Sequence, residues 1–414
     1  MAPRDDQESS IDTNYSHHVT SLIGKGVLGG DFPVVVTDPN KLEQQAQQKM
    51  TKQGFDYIRG AAGESATMDA NRLAFRQWKI VPRVLRATNP RNLSVTLFGQ
   101  RYDTPVLMCP IGVHSYYHED REIGSAKACA ALGVPFSLST ASSTGIEELV
   151  KECPDGPKWF QLYWPLDDDV TASLLGRAKA QGFKALLVTL DTWTLGWRPR
   201  DLDTGNLPFL LGEGDQVGFT DPVFRKKFAD NNDGDTPESN KIAAASAWTT
   251  EAFPGVSHNW EDLKLLRRHW DGPILLKGVL SVHDAKLAVK HGMDGIVVST
   301  HGGRQLDGAV ASLDMLPDIV QAVGNDLTVM LDSGVRTGAD IFKALALGAK
   351  GVFVGRPLVY GLGIDGTAGV QAVLAGLLAD LDLAMGFSGV QTIQELEPSL
   401  LRRVHYPGDT KSNL

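Results

Sequence analysis

The chain has 414 residues, of which 42% are hydrophobic and 21% are charged, and these fractions are ordinary for a globular protein. Its formal charge of −9, with no long run of lysine and arginine, argues against nucleic-acid binding, because no basic surplus is available to neutralise phosphates. The three cysteines, Cys109, Cys129 and Cys153, form no C-x-x-C pair. We therefore predict a reduced intracellular protein without a metal site.

The first residues, Met-Ala-Pro-Arg-Asp-Asp-Gln, contain no apolar segment of a secretory signal. No uncharged apolar run approaches the roughly 18 residues of a transmembrane helix, so we expect no membrane span. A cytoplasmic location follows from these two observations. The ending Ser412-Asn413-Leu414 differs by one residue from the peroxisomal S-K-L signal, which makes the peroxisome the alternative location.

The N-terminal part of the chain is polar and irregular, and residues 1–38 are predicted to form a flexible arm. A helical segment is predicted from Asp38 to Gly54, with Asp38 as its N-cap and Pro39 at its first position. Residues 55–63 are expected to lead into another helix that ends at Phe75.

After Arg86 the chain alternates between short apolar strands and helical stretches. The eight predicted strands are residues 105–109, 135–139, 158–163, 185–191, 273–277, 295–299, 328–332 and 351–355. The clearest helical candidates are residues 282–291, 313–323 and 339–347. Alternation of this kind predicts parallel strands with right-handed crossovers, and eight units predict a closed (β/α)8 TIM barrel, α/β in class.

The spacing of the repeat is interrupted once, between the fourth and fifth strands. We interpret residues 202–258 as a lid insertion over the barrel mouth, because a loop of this length in a compact domain is usually functional. Its segment 230–237 is rich in Asp, Asn and Gly and is predicted to be solvated. The alternative is a passive or oligomer-facing insertion. Residues 39–390 are then a single barrel domain, and residues 391–414 a C-terminal tail.

One segment, Ser-Thr-His-Gly-Gly-Arg-Gln-Leu-Asp-Gly at residues 299–308, directly follows the sixth strand. His301 can accept a proton near neutral pH, and Arg304 can bind a carboxylate with two parallel hydrogen bonds. The two glycines between them allow a sharp turn and the close approach of a flat ligand. A base beside a carboxylate clamp is the combination needed to oxidise or deprotonate a small acid.

Polar residues also follow or end the other strands, and in a barrel they meet at the C-terminal mouth. They are Ser139, Thr140, Gln161, Tyr163, Thr189, Asp191, Lys277, Ser299, Asp332 and Ser333. After the last two strands, the glycine-rich turns with Arg336 and Arg356 predict a phosphate site, because barrels commonly bind phosphate there.

Together these motifs make the chain resemble the FMN-dependent L-2-hydroxy acid oxidase family, which includes glycolate and lactate oxidases, from about Lys41 to Leu383. The resemblance rests on Tyr57, residues 160–163, 189–192, 276–278, 299–308, 332–336 and 355–357. Within that family, residues 191–201, the segment 221–224 and the long insertion are similar to lactate 2-monooxygenases.

The resemblance implies a role for each of these residues. His301 is the base, Asp191 orients it and pairs with the imidazolium, and Lys277 stabilises the reduced flavin. The implied substrate-binding residues are Tyr57, Tyr163, Arg198, His301 and Arg304, with Tyr163 also assisting catalysis. The implied FMN-binding residues are Pro110, Ile111, Gly112, Ser139, Gln161, Thr189, Lys277, Ser299, Asp332, Gly334, Arg336, Gly355 and Arg356.

Three positions depart from the family pattern. Thr300 replaces the usual Asn before the catalytic His, which affects how His301 is positioned. Ala141 replaces the tryptophan of glycolate oxidases and should leave room beyond a two-carbon acid. The motif Lys-x-x-His-Pro-x-Gly is replaced by residues 114–120, so Tyr116 and Tyr117 are expected to influence substrate choice.

The resulting prediction is oxidation of an L-2-hydroxy acid, lactate being the first candidate, to the 2-keto acid with O2 as electron acceptor. Retention of the keto acid would instead give decarboxylating, monooxygenase chemistry. His301 either takes the carbon-bound proton or takes the hydroxyl proton as a hydride leaves. Alternatives are a flavin dehydrogenase using a carrier protein or quinone, a non-redox barrel such as an aldolase with Lys277 as Schiff base, and an inactive flavin scaffold. A homo-oligomer, a tetramer or larger, is expected from the resemblance.

Overall fold

The computed structural model describes residues 14–405. Their strands are β1 (Trp78–Ile80), β2 (Val95–Leu97), β3 (Gln100–Tyr102), β4 (Val106–Met108), β5 (Phe136–Ser139), β6 (Lys158–Tyr163), β7 (Leu186–Thr189), β8 (Ile274–Val279), β9 (Gly295–Val298), β10 (Thr328–Leu331), β11 (Val352–Val354) and β12 (Leu401–Arg403). Their α-helices are α1 (His17–Gly29), α2 (Leu42–Lys49), α3 (Lys52–Arg59), α4 (Ala66–Gln77), α5 (Arg121–Ala131), α6 (Ile146–Glu152), α7 (Asp168–Ala180), α8 (Pro199–Leu202), α9 (Gln216–Phe219), α10 (Pro222–Asn231), α11 (Lys241–Ala252), α12 (Leu263–His269), α13 (Val282–Lys290), α14 (Ser312–Val323), α15 (Gly338–Ala346) and α16 (Arg356–Phe387).

Strands β4 to β11 form one parallel sheet in the order β4-β11-β10-β9-β8-β7-β6-β5. The backbone N–H of Met108 in β4 donates to the carbonyl of Pro135, 3.0 Å away, just before β5, and so brings the two ends of the sheet together. The predicted (β/α)8 barrel is therefore confirmed, with strand bounds within a few residues of those expected. Strands such as β7 and β9 are buried along their whole length because barrel strands are covered on both faces.

The N-terminal elements differ from the expectation. The described part of the predicted arm contains α1, whose residues are all at least partly exposed. The helix predicted from Asp38 is divided into α2 and α3, because Thr51 accepts a hydrogen bond from the N–H of Gly54 and caps a new helix. Asp38 instead accepts from the N–H of Asn40 in a turn.

The insertion after β7 forms a packed helical layer. It comprises α8 to α11 and a 3-10 turn, Pro208–Leu211, and it buries Phe224 and Trp248 against each other with ring centroids 5.1 Å apart. Residues 232–240 connect α10 to α11, and the Asn240 side chain caps α11. All residues of the segment 230–237 except Pro237 are partly or fully exposed, as predicted for a solvated segment. The helical packing fixes the position of Phe209, which reaches the barrel mouth.

The C-terminal segment is also part of the fold. Strand β12 pairs antiparallel with β1, so residues 391–405 pack against the chain instead of forming a free tail. The ending Ser412-Asn413-Leu414 lies outside the described residues.

Helix α16 is long and apolar enough to cross a membrane by composition, although no such helix was expected. It has a kink at Asp365 and Gly366, packs against α5, and buries apolar side chains that include Leu358, Leu374 and Leu378.

Candidate active site

A cavity with about 920 Å³ of empty space opens at the C-terminal ends of the barrel strands. Its lining includes most of the predicted site, namely Tyr57, Pro110, Ile111, Gly112, Tyr163, Arg198, Lys277, His301, Arg304, Asp332, Gly334, Arg336, Gly355 and Arg356. One cavity therefore joins the predicted base, the carboxylate clamp and the predicted phosphate site.

His301 begins a single 3-10 turn directly after β9 and Thr300. Its φ of 54° lies in the left-handed region, which residues other than glycine seldom adopt and which clusters at functional sites. Gly303 has a φ of 74°, and a Cβ there would lie 2.7 Å from the backbone nitrogen of Met68. Gly303 thus lets the turn pack closely against α4, whereas a Cβ on Gly302 would lie 2.8 Å from Nη1 of Arg356, so the turn that carries His301 is enclosed on two sides.

The His301 ring is oriented by a carboxylate. Nδ1 of His301 lies 2.9 Å from Oδ1 of Asp191, and the Thr192 hydroxyl donates to the same oxygen at 2.8 Å. Because Asp191 accepts the Nδ1 proton, Nε2 is the nitrogen left to act as a base. Sequence reasoning assigned no role to Thr192, although its position beside Asp191 could have drawn attention to it.

Burial lowers the pKa of His301 below its usual value; Asp191 raises it and Lys277 lowers it again. Asp191 opposes the effect of burial as the charged partner of the ring, but burial outweighs it. Burial raises the pKa of Asp191, but His301 and Lys277 outweigh it and hold that pKa at about 2. The dyad is therefore a neutral imidazole beside a carboxylate at neutral pH, ready to accept a proton.

Lys277 is held as a buried ammonium ion. Its Nζ lies 3.0 Å from Oδ2 of Asp332 and donates to the hydroxyl of Ser299 at 3.1 Å. Burial lowers the pKa of Lys277, but Asp332 and Asp191 outweigh burial and raise it above its usual value. A Schiff-base lysine must lose its proton to attack a carbonyl, so this environment argues against the aldolase alternative.

The two predicted clamp arginines, Arg198 and Arg304, both line the cavity. Nε of Arg198 donates to the carbonyl of Arg304 at 3.0 Å, and its Nη2 donates to the side chain of Gln305. The side-chain hydrogen bonds of Arg304 within residues 14–405 all leave from Nη1, toward the carbonyls of Tyr57, Ile58 and Gly60 at 2.6, 3.4 and 2.7 Å. Its guanidinium also lies over the Tyr57 ring, 5.0 Å from the centroid, which couples two substrate-binding candidates.

Arg336 and Arg356 provide positive charge at the opposite end. The pKa of Arg356 is lowered to about 9. Burial is the main cause, the positive charges of Arg304 and Arg336 act in the same direction, and Tyr360 opposes them. Within residues 14–405, neither Arg336 nor Arg356 forms a salt bridge with a carboxylate. Buried cations that repel one another fit a phosphate dianion, so the residues present suit the phosphate of FMN.

Arg356 has a second role that the sequence did not indicate. Its Nε, Nη1 and Nη2 donate to the carbonyls of Ile58, Gly302 and Gly60 at 2.9, 2.9 and 3.0 Å. Every nitrogen of its guanidinium is therefore engaged by backbone, which ties the loop after α3 to the His301 turn. The prediction that Arg356 binds phosphate stays a prediction.

Four predicted cofactor residues do not line the cavity. Ser139 donates to Oε1 of Gln161 at 2.8 Å, and Nε2 of Gln161 donates to Thr189 at 3.0 Å. Ser299 accepts from Lys277 and from the N–H of His301 at 3.0 Å. These residues form a buried network that positions the ends of neighbouring strands.

The departures at residues 300, 141 and 117 have structural consequences. The Thr300 hydroxyl accepts a 2.8 Å hydrogen bond from Nδ2 of Asn71 in α4, so the residue before His301 is anchored without the usual asparagine. Ala141 and Tyr117 both line the cavity. The Tyr117 hydroxyl is buried without a hydrogen-bond partner among residues 14–405.

Phe209 and Phe253 complete the wall of the cavity. The ring centroids of Phe253 lie 4.9 Å from Tyr163 and 5.3 Å from Phe209, and Phe209 lies 6.4 Å from Tyr57. These four rings form an aromatic wall beside His301. Sequence reasoning missed both phenylalanines because their positions depend on the packing of the insertion.

Comparison with known proteins identifies the family. The family model for FMN-dependent dehydrogenases matches residues 46–403. The chain belongs to this family. It is an FMN-dependent oxidoreductase related to alpha-hydroxy acid dehydrogenases and oxidases, and its cofactor is FMN.

Several relatives match nearly the whole chain. The FMN-dependent alpha-hydroxy acid dehydrogenase qulF of Penicillium citrinum is 50% identical over 97% of this chain and 99% of its own length. Human 2-hydroxyacid oxidase 1 is 41% identical over 88% of this chain and 96% of its own length. L-lactate oxidase of Lysinibacillus sphaericus is 39% identical over 88% of this chain and 92% of its own.

Solved structures of mandelate oxidase share the barrel fold. The complex with benzoyl-formic acid has a TM-score of 0.75 and 33% identity, and covers 89% of this chain and 98% of that one. The complex with (S)-2-phenylpropionate has the same TM-score, identity and coverage.

Proposed function

We propose that the protein oxidises an L-2-hydroxy acid to the 2-keto acid and passes the electrons to O2. The observation that carries this proposal is the His301–Asp191 dyad, placed in one cavity with the Lys277 ammonium and two arginines. FMN, when bound, supplies the two-electron acceptor for the hydroxy acid. The residues Arg336, Gly334 and Gly355 would hold its phosphate end, and Lys277 would supply positive charge where negative charge develops.

The chain's own groups account for binding and proton transfer. Arg198 and Arg304 would bind the substrate carboxylate and thereby set the orientation of its hydroxyl carbon. Burial raises the pKa of Tyr163, so its hydroxyl stays protonated and can donate to the substrate. Nε2 of His301 would take up one proton, and Asp191 would stabilise the imidazolium that results.

We propose that the substrate carries an aromatic or branched apolar side chain. The wall formed by Tyr57, Phe209, Phe253 and Tyr163 supports this class, because aromatic rings favour edge and stacked contacts with another ring. The small side chain of Ala141 in the cavity lining supports it as well. Lactate remains the small alternative substrate.

The ratio of kcat/KM for L-mandelate and L-lactate tests the substrate class. We expect the wild-type enzyme to prefer L-mandelate, and Phe209→Ala to reduce that preference roughly 2- to 10-fold, the worth of one aromatic contact. Leu210→Ala is the matched control, since Leu210 lies in the same turn but is exposed and outside the cavity lining. A wild-type preference for L-lactate would contradict the aromatic assignment and leave the oxidation itself standing.

O2 is the proposed acceptor because an L-lactate oxidase and a 2-hydroxyacid oxidase are among the relatives. A carrier protein or quinone is the second candidate, supported by relatives named dehydrogenases. Stopped-flow reoxidation of the reduced enzyme by air distinguishes them, since a dehydrogenase should reoxidise slowly.

Product analysis in air then separates the keto acid from its decarboxylated counterpart. The decarboxylated acid is expected if the insertion acts as a lid and slows release of the keto acid.

We further propose a homo-oligomer, a tetramer being the first expectation. Exposed Val27, Leu28 and Phe32 on and after α1 support an interface, because large apolar side chains seldom cluster on a free surface. Light scattering of the purified enzyme tests this proposal.

We also propose a reducing compartment, the cytoplasm first, because the three cysteines are unpaired. Imaging of a fluorescent fusion would separate cytoplasm from peroxisome.

A further inference from the structure

A second cavity, with about 1030 Å³ of empty space, lies behind the catalytic dyad. Asp191 lines this cavity and not the active-site cavity, whereas His301 lines only the active-site cavity. Thr192 lines both, so the segment after β7 is a shared wall. The remaining wall comes from Trp164 after β6, from the segment between α11 and α12, and from residues at β8 and α13.

The lining of this second cavity is aromatic and acidic. The indoles of Trp164, Trp193 and Trp260 contribute to it, together with the carboxylates of Asp191 and Asp284. No lysine or arginine is among its lining residues, all of which belong to the described part of the chain, and its one histidine, His258, is stacked on Trp164 with ring centroids 4.0 Å apart. Indole faces next to carboxylates attract organic cations, because both the ring quadrupole and the negative charge favour them.

One carboxylate oxygen in this wall has no hydrogen-bond donor. Oδ1 of Asp191 accepts from His301 and Thr192, whereas Oδ2 is buried without a partner among residues 14–405. A Cβ on Gly278 would lie 2.9 Å from Cβ, Cγ and Oδ2 of Asp191, so the Asp191 side chain packs against Gly278, which itself lines the second cavity. An ionised carboxylate oxygen without a donor is costly, and a positive charge bound in the neighbouring cavity would offset its negative charge.

We propose that the second cavity binds an organic ammonium ion with a flat apolar body. The ammonium group lies beside the carboxylates of Asp191 and Asp284, and the body lies against the indoles of Trp193 and Trp260. Because this positive charge offsets the negative charge of the carboxylate that holds His301, the bound amine slows oxidation of the hydroxy acid without competing with it. The inhibition rests on the proposed function; the binding does not.

Calorimetry with the FMN-loaded enzyme and 2-phenylethylammonium tests the binding directly. We expect saturable binding that is about tenfold tighter than that of 2-phenylethanol, which has the same body without the charge. Trp193→Ala should weaken binding about tenfold. Trp197→Ala should leave it unchanged, because Trp197 is 73% exposed and does not line the cavity.

Steady-state kinetics test the coupling to the dyad. We expect 2-phenylethylammonium to lower kcat, with an inhibition pattern that is not competitive against the hydroxy acid. The proposal is overturned by absence of binding heat at millimolar amine, by equal affinity in Trp193→Ala, or by competitive inhibition. Failure of the enzyme to oxidise any hydroxy acid would refute the proposed function, while calorimetry would still decide the site.

Discussion

Replacing Asp191 with asparagine tests the role of the dyad most sharply. Asparagine keeps the size of the side chain but removes the charge that lies 2.9 Å from Nδ1 of His301. A hydrogen bond to a charged group contributes roughly 1.5–3 kcal/mol, which corresponds to a roughly 10- to 100-fold loss of kcat if it acts mainly on the imidazolium. Asp203→Asn, at an exposed position on the same insertion, is the control and should keep wild-type rates.

The pH profile of the same variant gives an independent result. In the wild-type enzyme burial lowers the pKa of His301 below 6.5, so log kcat/KM should be level near neutral pH and fall only at lower pH. Asp191 raises that pKa, so Asp191→Asn should move the acid limb to still lower pH while the plateau falls. An unchanged plateau together with an unchanged acid limb would refute the assignment of Asp191 as the partner of the base.

Three further predictions follow from the cavity. Lys277→Met should lower the rate constant of anaerobic flavin reduction roughly 100- to 1,000-fold, because a fixed cation near the developing charge is lost. Lys290→Met on α13 should leave that rate constant unchanged. Gly278→Ala should lower kcat without abolishing folding, since the new Cβ would lie 2.9 Å from Asp191 at a φ of 103°; an unchanged rate would contradict the close packing. Arg336→Leu should raise the Kd for FMN roughly 10- to 100-fold in a fluorescence titration, with unaltered FMN affinity as the contrary result.

The barrel could be predicted from the sequence because each barrel strand is a continuous apolar run. The runs at β7 and β9 are buried on both faces, so no polar alternation obscured them. The dyad could also be predicted, because His301 and Asp191 both follow strands and the mouth of a barrel brings strand ends together.

Other features depend on contacts between distant parts of the chain. Phe209 reaches the cavity only through the packing of the insertion, and strand β12 forms only because β1 lies beside it. The carbonyls that engage Arg356 come from Ile58, Gly60 and Gly302, which no local pattern relates to it. The pKa of His301 depends on a balance between burial and charge, and the sequence indicated only the charge.

The measurement that tests the central claim most directly is the visible spectrum of the purified enzyme before and after anaerobic addition of L-mandelate and, separately, L-lactate. We expect the flavin bands to bleach with a 2-hydroxy acid, and to bleach faster with L-mandelate than with L-lactate. The bands of the Asp191→Asn enzyme should bleach much more slowly. Flavin bands that persist with both acids would contradict the proposed oxidation of a 2-hydroxy acid by the His301–Asp191 dyad.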